Sequence, residues 1–243
     1  IDYVIEGEGE KSMLQLVRAL KNKTSISGIP GLYYRDGNLI VNHKPQSLME
    51  GFSSAKLPFY LCLKREYSYN RIGIQTARGC PFRCAFCAVA KLTHNSYRVR
   101  EPAAVIDELL QLFPLVDNNN YAFIDDNFLI NNRRVIAIAQ LLLLKMKPRY
   151  PDSRFLIQAR ADSLVNISDE ALDLLVEAGL NNIFIGAESG SNRILKIINK
   201  QITRKNIIDA NKRLTKYPNL IPEYSFMIDF PFETESDRKA TFS

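Results

Sequence analysis

Three of the four cysteines in the chain, Cys80, Cys84 and Cys87, lie within the eight residues CPFRCAFC. Thiolates at this C-x3-C-x2-C spacing can hold a metal centre from one side of a loop. A structural zinc site uses four protein ligands, and His94 is the nearby side chain that could complete one. An iron–sulfur cube held by three thiolates would instead keep one iron open for a small molecule. The motif therefore predicts a metal centre, with a zinc site closed by His94 as the alternative.

Short β-rich segments alternate with helical segments from Arg71 onward, and these elements must position the cysteines. Such alternation is typical of parallel strands joined by crossover helices. The predicted strands are RIGIQT, YAFID, RFLIQA, NIFIGA and EYSFMI, and the predicted helices span 103–113, 134–146, 169–178 and 206–215. Ser168 is a predicted helix N-cap. The pattern predicts an α/β fold, either an open arc of a barrel or a doubly wound sheet.

Polar side chains follow each predicted strand. Both architectures place function at the carboxyl ends of the strands, so these side chains are expected on one face. The alternative is that they are ordinary surface loop residues. The set comprises Asp125, Asp126, Asn127, Gln158, Arg160, Asp162, Glu188, Ser189 and Asp229.

The charge and hydropathy of the chain limit the classes of protein to which it can belong. The formal net charge is +6, but the basic residues are scattered, which favours a solvated surface over a nucleic-acid site. No apolar run approaches the roughly 18 residues of a membrane span. Clustered cysteines and the absence of a signal peptide at Ile1 predict a cytoplasmic protein.

The N-terminal part has a different pattern. Tyr3 to Ile5 predict a strand, GEGEKSMLQLVRAL predicts a helix, and a hairpin with Asp36-Gly37 at its turn follows. A domain boundary is predicted near Phe59, which divides the chain into residues 1–58 and 59–243. The GEGE run is not a phosphate loop, because it lacks the G-x-G-x-x-G pattern and its glutamates would repel a phosphate.

The CPFRCAFC stretch, with Phe86 before the third cysteine, resembles the signature of the radical SAM superfamily. FIDDNF, QARAD, GAESGS and MIDFPFET resemble, in order and spacing, the strand-end motifs of the subgroup that carries a cobalamin-binding domain. DYVIEGEGE resembles the last strand and helix of that Rossmann-like domain. The resemblance implies that residues 59–243 form a partial (β/α)6 TIM-like barrel, incomplete at its C-terminal end, and that residues 1–58 are the remnant of the cobalamin-binding domain with a hairpin linker.

The resemblance also implies cofactors: a [4Fe–4S] cluster held by the three cysteines, S-adenosylmethionine, and cobalamin in the full-length protein. By the same resemblance, Phe86 would pack near the adenine, Asp126 would accept from the methionyl ammonium, and Arg160 would bind the methionyl carboxylate. Glu188 and Ser189 would bind the ribose hydroxyls or the ammonium. The alternatives are a core aromatic for Phe86 and an ion pair with Asp162 for Arg160.

The implied reaction is reductive cleavage of S-adenosylmethionine for methyl transfer or rearrangement of a small-molecule substrate, with flavodoxin or ferredoxin as reductant and no nucleic acid. The alternatives are a tRNA methylthiotransferase and a non-catalytic iron–sulfur carrier. The sequence departs from the family pattern where Asp229 and Phe232 occupy usual glycine positions, which bears on how tightly the adenosyl group is held.

Overall fold

The computed structural model describes residues 1–44, 71–115 and 119–243. The boundary predicted near Phe59, and Cys62, lie outside the described residues. The N-terminal unit consists of β1 (Tyr3–Ile5), α1 (Gly9–Asn22), β2 (Leu32–Asp36) and β3 (Leu39–Asn42), and its three strands form an antiparallel sheet. The buried face of α1 packs through Leu16 and Ala19 onto Ile29 and Leu32.

The predicted hairpin is confirmed, but its turn lies one residue further along. Asp36 pairs with Leu39, so the two loop residues are Gly37 and Asn38. Gly37 has a φ of 61°, a conformation that glycine adopts without the steric penalty of a side chain. The hydrophobic pattern located the two strands, whereas the backbone conformation of the loop decided the position of the turn.

The described residues from position 71 onward form a second unit, called the core here. Its strands are β4 (Ile72–Ile74), β5 (Ala77–Arg78), β6 (Arg98–Val99), β7 (Asn120–Phe123), β8 (Arg154–Arg160), β9 (Leu180–Glu188) and β10 (Ile221–Phe226). Its α-helices are α2 (Val89–Leu92), α3 (Pro102–Leu112), α4 (Asn132–Leu141), α5 (Ala161–Asn166), α6 (Asp169–Glu177), α7 (Asn192–Ile197), α8 (Arg204–Leu214) and α9 (Glu235–Phe242). A π-helical turn, Leu142–Met146, extends α4. The four helices predicted from sequence are thus confirmed to within a few residues at each end.

Five core strands form one parallel sheet in the order β4-β7-β8-β9-β10. Each strand lies beside the next sheet strand along the chain, and the order never reverses. A doubly wound sheet has a switch point at which the order does reverse. The structure is therefore the open arc of a barrel, as the partial-barrel prediction required.

Local sequence explains why the helices begin where they do and how the sheet is covered. The Ser168 hydroxyl accepts from the N–H of Ala171, which confirms the predicted cap of α6. Tyr121, Phe123 and Phe155 are fully buried and contact one another edge-on or stacked.

In the described ranges, no helix combines the length and apolar character needed to cross a membrane.

Candidate active site

The cysteine loop, defined here as residues 79–97, connects β5 to β6 directly after the first strand of the parallel sheet. Cys80, Cys84 and Cys87 are free thiols and each is partly exposed. Gly79 opens the loop with a φ of 88°, and a Cβ at this position would collide with the carbonyl oxygen of Ser96. The two ends of the loop therefore touch, and only glycine fits at its start.

The loop is anchored by the segment that follows α7. The N–H of Ala85 donates to the carbonyl of Ile198 over 2.8 Å, and the Asn199 side chain donates to the carbonyl of Arg83 over 2.7 Å. Asn199 has a φ of 51°, which is uncommon for a residue other than glycine. The path of the cysteine loop is thus set by residues more than a hundred positions further along the chain.

A cavity of about 580 Å³ opens beside Cys84 and Cys87, and Phe86, Lys91 and His94 also line it. Among the described residues, no three His, Cys, Asp or Glu side chains converge on a point that could hold a single metal ion. An iron–sulfur cluster does not require such convergence, because its thiolates bind different irons. Cys84 and Cys87 line this cavity and Cys80 lies on the same loop, an arrangement that fits a cluster held from one side.

The two aspartates after β7 have different environments. Asp125 is buried and accepts from the N–H groups of Thr76 and Ala77 at 2.6 and 2.9 Å, and also from the Thr76 hydroxyl. Arg134 lies 3.4 Å from the same carboxylate. Burial raises the pKa of Asp125, although Arg134 and these hydrogen bonds oppose the rise. Asp125 thus ties β7 to the backbone that leads into the cysteine loop.

Asp126 is exposed and lies close to the first cysteine of the loop. Its carboxylate accepts from the N–H of Gly79 and raises the pKa of Cys80 through charge repulsion, an effect smaller than that of burial. Partial burial of its carboxyl group raises the pKa of Asp126 itself. Asp126 thus differs from the buried Asp125 in having an exposed side chain, and a ligand contact by Asp126 stays a prediction.

The Arg160 side chain is buried, and it makes the ion pair with Asp162 that was the alternative to a ligand contact. Its Nε and Nη2 donate to the two Asp162 oxygens at 2.9 and 3.1 Å. Nη1 lies 3.6 Å from the Sγ of Cys84, and the guanidinium stacks 3.6 Å from the centre of the Phe82 ring. Arg160 therefore places a fixed positive charge against the cysteine loop.

Glu188 is also buried, and its carboxylate accepts from the Nζ of Lys200 over 2.6 Å. The same ammonium lies 5.7 Å from the centre of the Phe86 ring, which is 44% exposed at the cavity. Glu188 adopts a φ of 64°, and a Cβ on Gly186 would fall 2.6 Å from its carboxylate oxygen. Lys200 thus lies near Phe86 and pairs with Glu188, and its carbonyl oxygen accepts from Nη2 of Arg160.

Ser189 does not join this group. Its hydroxyl lies 3.2 Å from the hydroxyl of Thr241 on α9 and accepts from the N–H of Ser191. These contacts fix the loop after β9 against the last helix. A ligand contact by Ser189 stays a prediction.

The two positions that depart from the family pattern behave differently. Asp229 has a φ of 64°, so it adopts the left-handed conformation for which glycine is preferred, and aspartate is among the residues that tolerate it. Phe232 is not among the described residues with positive φ, and its ring stacks on Phe230 at 5.5 Å. The chain thus keeps the backbone conformation that glycine favours at position 229 without the glycine.

Lys200 and Phe82 were missed by the sequence reasoning. Lys200 follows helix α7 rather than a strand, and only polar residues that follow strands were considered in the sequence, so Lys200 was not identified. The available signal was the polar run NKQ directly after the apolar face of that helix. Phe82 lies between two cysteines, where only its contact with Arg160 marks it out.

Comparison with known proteins agrees with this geometry. Residues 74–243 match the model of the radical SAM superfamily. An uncharacterized methyltransferase of Pyrococcus horikoshii is 34% identical over 99% of this chain and 52% of its own length. An anaerobic magnesium-protoporphyrin IX monomethyl ester cyclase of Cereibacter sphaeroides is 26% identical over 100% of this chain and 40% of its own.

Among solved structures, the radical SAM methyltransferase TsrM of Kitasatospora setae, with cobalamin and a [4Fe–4S] cluster bound, aligns with a TM-score of 0.77 at 18% identity. The alignment covers 100% of this chain and 48% of that protein, so the likeness shows the fold. The chain spans about half, or less, of the length of each protein named here. Since the family match covers most of the chain and includes the whole cysteine loop, the chain belongs to the radical SAM superfamily.

Proposed function

We propose that Cys80, Cys84 and Cys87 hold a [4Fe–4S] cluster at which S-adenosylmethionine binds. The observation that carries this proposal is the placement of three free thiols on one loop, beside a cavity, at the carboxyl end of the first strand in a sequentially ordered parallel sheet. When bound, the cluster would supply the electron for reductive cleavage of the C–S bond of S-adenosylmethionine.

The residues of this chain supply orientation and charge. Arg160 donates toward Cys84 and would stabilise negative charge on the thiolates. Asp126, exposed beside Gly79, would accept from the methionyl ammonium of S-adenosylmethionine. Phe86 would pack against the adenine. In the structure, the Nε and Nη2 of Arg160 are engaged by Asp162, so a contact with the methionyl carboxylate would use the remaining amino group.

Glu188 would bind the ribose hydroxyls or the ammonium of S-adenosylmethionine, with its carboxylate held by Lys200. Ser189 would bind the ribose hydroxyls only if its contact with Thr241 opened. Residues 1–58 would be the remnant of a cobalamin-binding domain, and residues 59–243 would be the radical SAM core. Cobalamin would be bound by the full-length protein. The reaction we propose is methyl transfer to, or rearrangement of, a small-molecule substrate, with flavodoxin or ferredoxin as electron donor in the cytoplasm.

One experiment separates this function from its alternatives. Oxygen-free, cluster-loaded full-length protein is mixed with S-adenosylmethionine and dithionite, and 5′-deoxyadenosine, methionine and S-adenosylhomocysteine are quantified. Formation of 5′-deoxyadenosine supports a radical enzyme, and S-adenosylhomocysteine in addition supports methyl transfer. A protein that holds the cluster but forms neither product is an iron–sulfur carrier, which would contradict the proposal. Transfer of a methylthio group to tRNA would favour the methylthiotransferase alternative.

A further inference from the structure

Two arginines face each other at the base of the cysteine loop. Arg78 ends β5 and Arg98 begins β6, and the two are directly paired in the antiparallel register. Like charges at directly opposed positions of a strand pair destabilise the pairing. Because all three cysteines lie between these two arginines, opening of the pair would remove one of the restraints on the loop that carries them.

Glu8 of the N-terminal unit lies between the two guanidinium groups. Its Oε1 is 2.9 Å from Nη1 of Arg78 and 2.5 Å from Nη2 of Arg98, and its Oε2 accepts from Nη1 of Arg98 over 3.1 Å. The side chain of Glu8 is 12% exposed. One carboxylate thus bridges the two guanidinium groups in a site with limited access to water, where ion pairs are screened less than at the surface.

The side chain of Glu8 is directed to distant residues rather than to its own helix. Glu8 is the N-cap residue of α1, yet its side chain makes no capping hydrogen bond. A capping side chain accepts from the first free N–H groups of its helix. The carboxylate of Glu8 reaches instead to residues 70 and 90 positions away.

Glu10 provides a comparison within the same GEGE run. It lies 2.7 Å from Nη2 of Arg78, but its side chain is 44% exposed, whereas that of Glu8 is 12% exposed. Exposed single ion pairs contribute at most about 1 kcal/mol. The two glutamates thus share a charge and a location but differ in burial.

We propose that Glu8 is a positioning residue that clamps the base of the cysteine loop and couples the N-terminal unit to cluster retention. This inference rests on the proposed function only in identifying the loop as the cluster site. It gives Glu8, the first glutamate of the GEGE run, a structural role that does not involve phosphate binding. Through this clamp, displacement of α1 would loosen β5 and β6 and shift the loop that holds the thiols.

The test compares Glu8→Gln with Glu10→Gln in the full chain. Cluster loss is followed by absorbance during challenge with an iron chelator, and hydrogen exchange of residues 77–99 is measured on cluster-free protein. We expect Glu8→Gln to accelerate both cluster loss and exchange by about tenfold, the effect of one lost charge-assisted contact. Glu10→Gln should change either rate by less than about threefold.

Charge exchange distinguishes a bridge from a general loss of stability. Glu8→Arg alone should accelerate exchange more than Glu8→Gln does, and combining it with Arg98→Glu should restore most of the protection, because opposite charges again alternate across the strands. Wild-type rates in Glu8→Gln, or no recovery in the double variant, would overturn the clamp. Failure of wild-type protein to bind a cluster would contradict the proposed function instead, and hydrogen exchange would still test the clamp.

Discussion

Lys200 donates to the carboxylate of Glu188 over 2.6 Å, and both side chains are more than nine-tenths buried. A buried ion pair is not strong evidence for stability in itself, but removal of one partner leaves an uncompensated charge. The Lys200 ammonium lies 5.7 Å from the centre of the Phe86 ring, and a Cβ on Gly186 would fall 2.6 Å from the Glu188 carboxylate. Glu188 was predicted from its place after the NIFIGA segment and is the last residue of β9, whereas Lys200, which contacts its carboxylate, was not predicted.

Removal of the ammonium from this pair should destabilise the fold. We expect Lys200→Met to lower the free energy of unfolding by about 3–5 kcal/mol, because Glu188 would remain buried without its counter-charge. Urea denaturation monitored by circular dichroism measures this change. Lys200→Met combined with Glu188→Gln should recover part of the loss, and an additive double variant would show that the two charges do not interact.

The two aspartates after β7 should separate stability from ligand binding. Asp125→Ala should lower the free energy of unfolding by about 2–5 kcal/mol, because the N–H groups of Thr76 and Ala77 lose their acceptor. Asp126→Ala should leave stability nearly unchanged and weaken binding of S-adenosylmethionine by about 1.5–3 kcal/mol. Thermal denaturation and calorimetric titration provide the two readouts. An unchanged dissociation constant in Asp126→Ala would remove that residue from the site.

Arg160→Lys should not be a conservative change. A lysine cannot pair with both oxygens of Asp162 while it also stacks on Phe82 and reaches Cys84. We expect a loss of about 1–3 kcal/mol of stability, together with a shifted charge-transfer absorbance of the bound cluster. Asp162→Asn is the matched control, since it should weaken the ion pair and leave the contact with Cys84 in place. Wild-type stability and absorbance in Arg160→Lys would contradict the role of the guanidinium.

The last helix should undock in acid. Hydrogen bonds from Arg193, Ser191 and Thr234 hold the pKa of Asp237 well below its usual range. A carboxylate with a depressed pKa in the folded state contributes its full stabilisation above its unfolded pKa of about 4, and this contribution is lost progressively as the pH falls further. The protection factors of residues 235–242, which are corrected for the intrinsic pH dependence of amide exchange, should therefore fall below about pH 4. Asp237→Asn should show faster exchange already at pH 7 and a weaker dependence on pH.

Candidate site residues could be named from the sequence because their signals are local. The cysteine spacing, the apolar period of each strand and the polar residues at strand ends all lie in short segments, so Cys80, Asp126 and Glu188 could be singled out as candidates. The sequential strand order then decided between the two architectures that the alternation allowed.

What could not be predicted depends on contacts between distant segments. Lys200 reaches Glu188 only because α7 returns to the loop, and Glu8 meets Arg78 and Arg98 only once the N-terminal unit docks. Sequence alone could not decide whether Arg160 pairs with Asp162 or faces a ligand, because both partners fit its chemistry. The geometry shows that the ion pair forms and that one amino group still faces Cys84.

Metal content tests the central claim most directly. We expect oxygen-free reconstituted protein to contain about four irons and four sulfides per chain, with Mössbauer parameters of a cubane cluster. Cys84→Ala should abolish this content, while Cys62→Ala, which leaves the motif intact, should retain it. A single zinc per chain, or a full complement of iron in Cys84→Ala, would contradict the assignment.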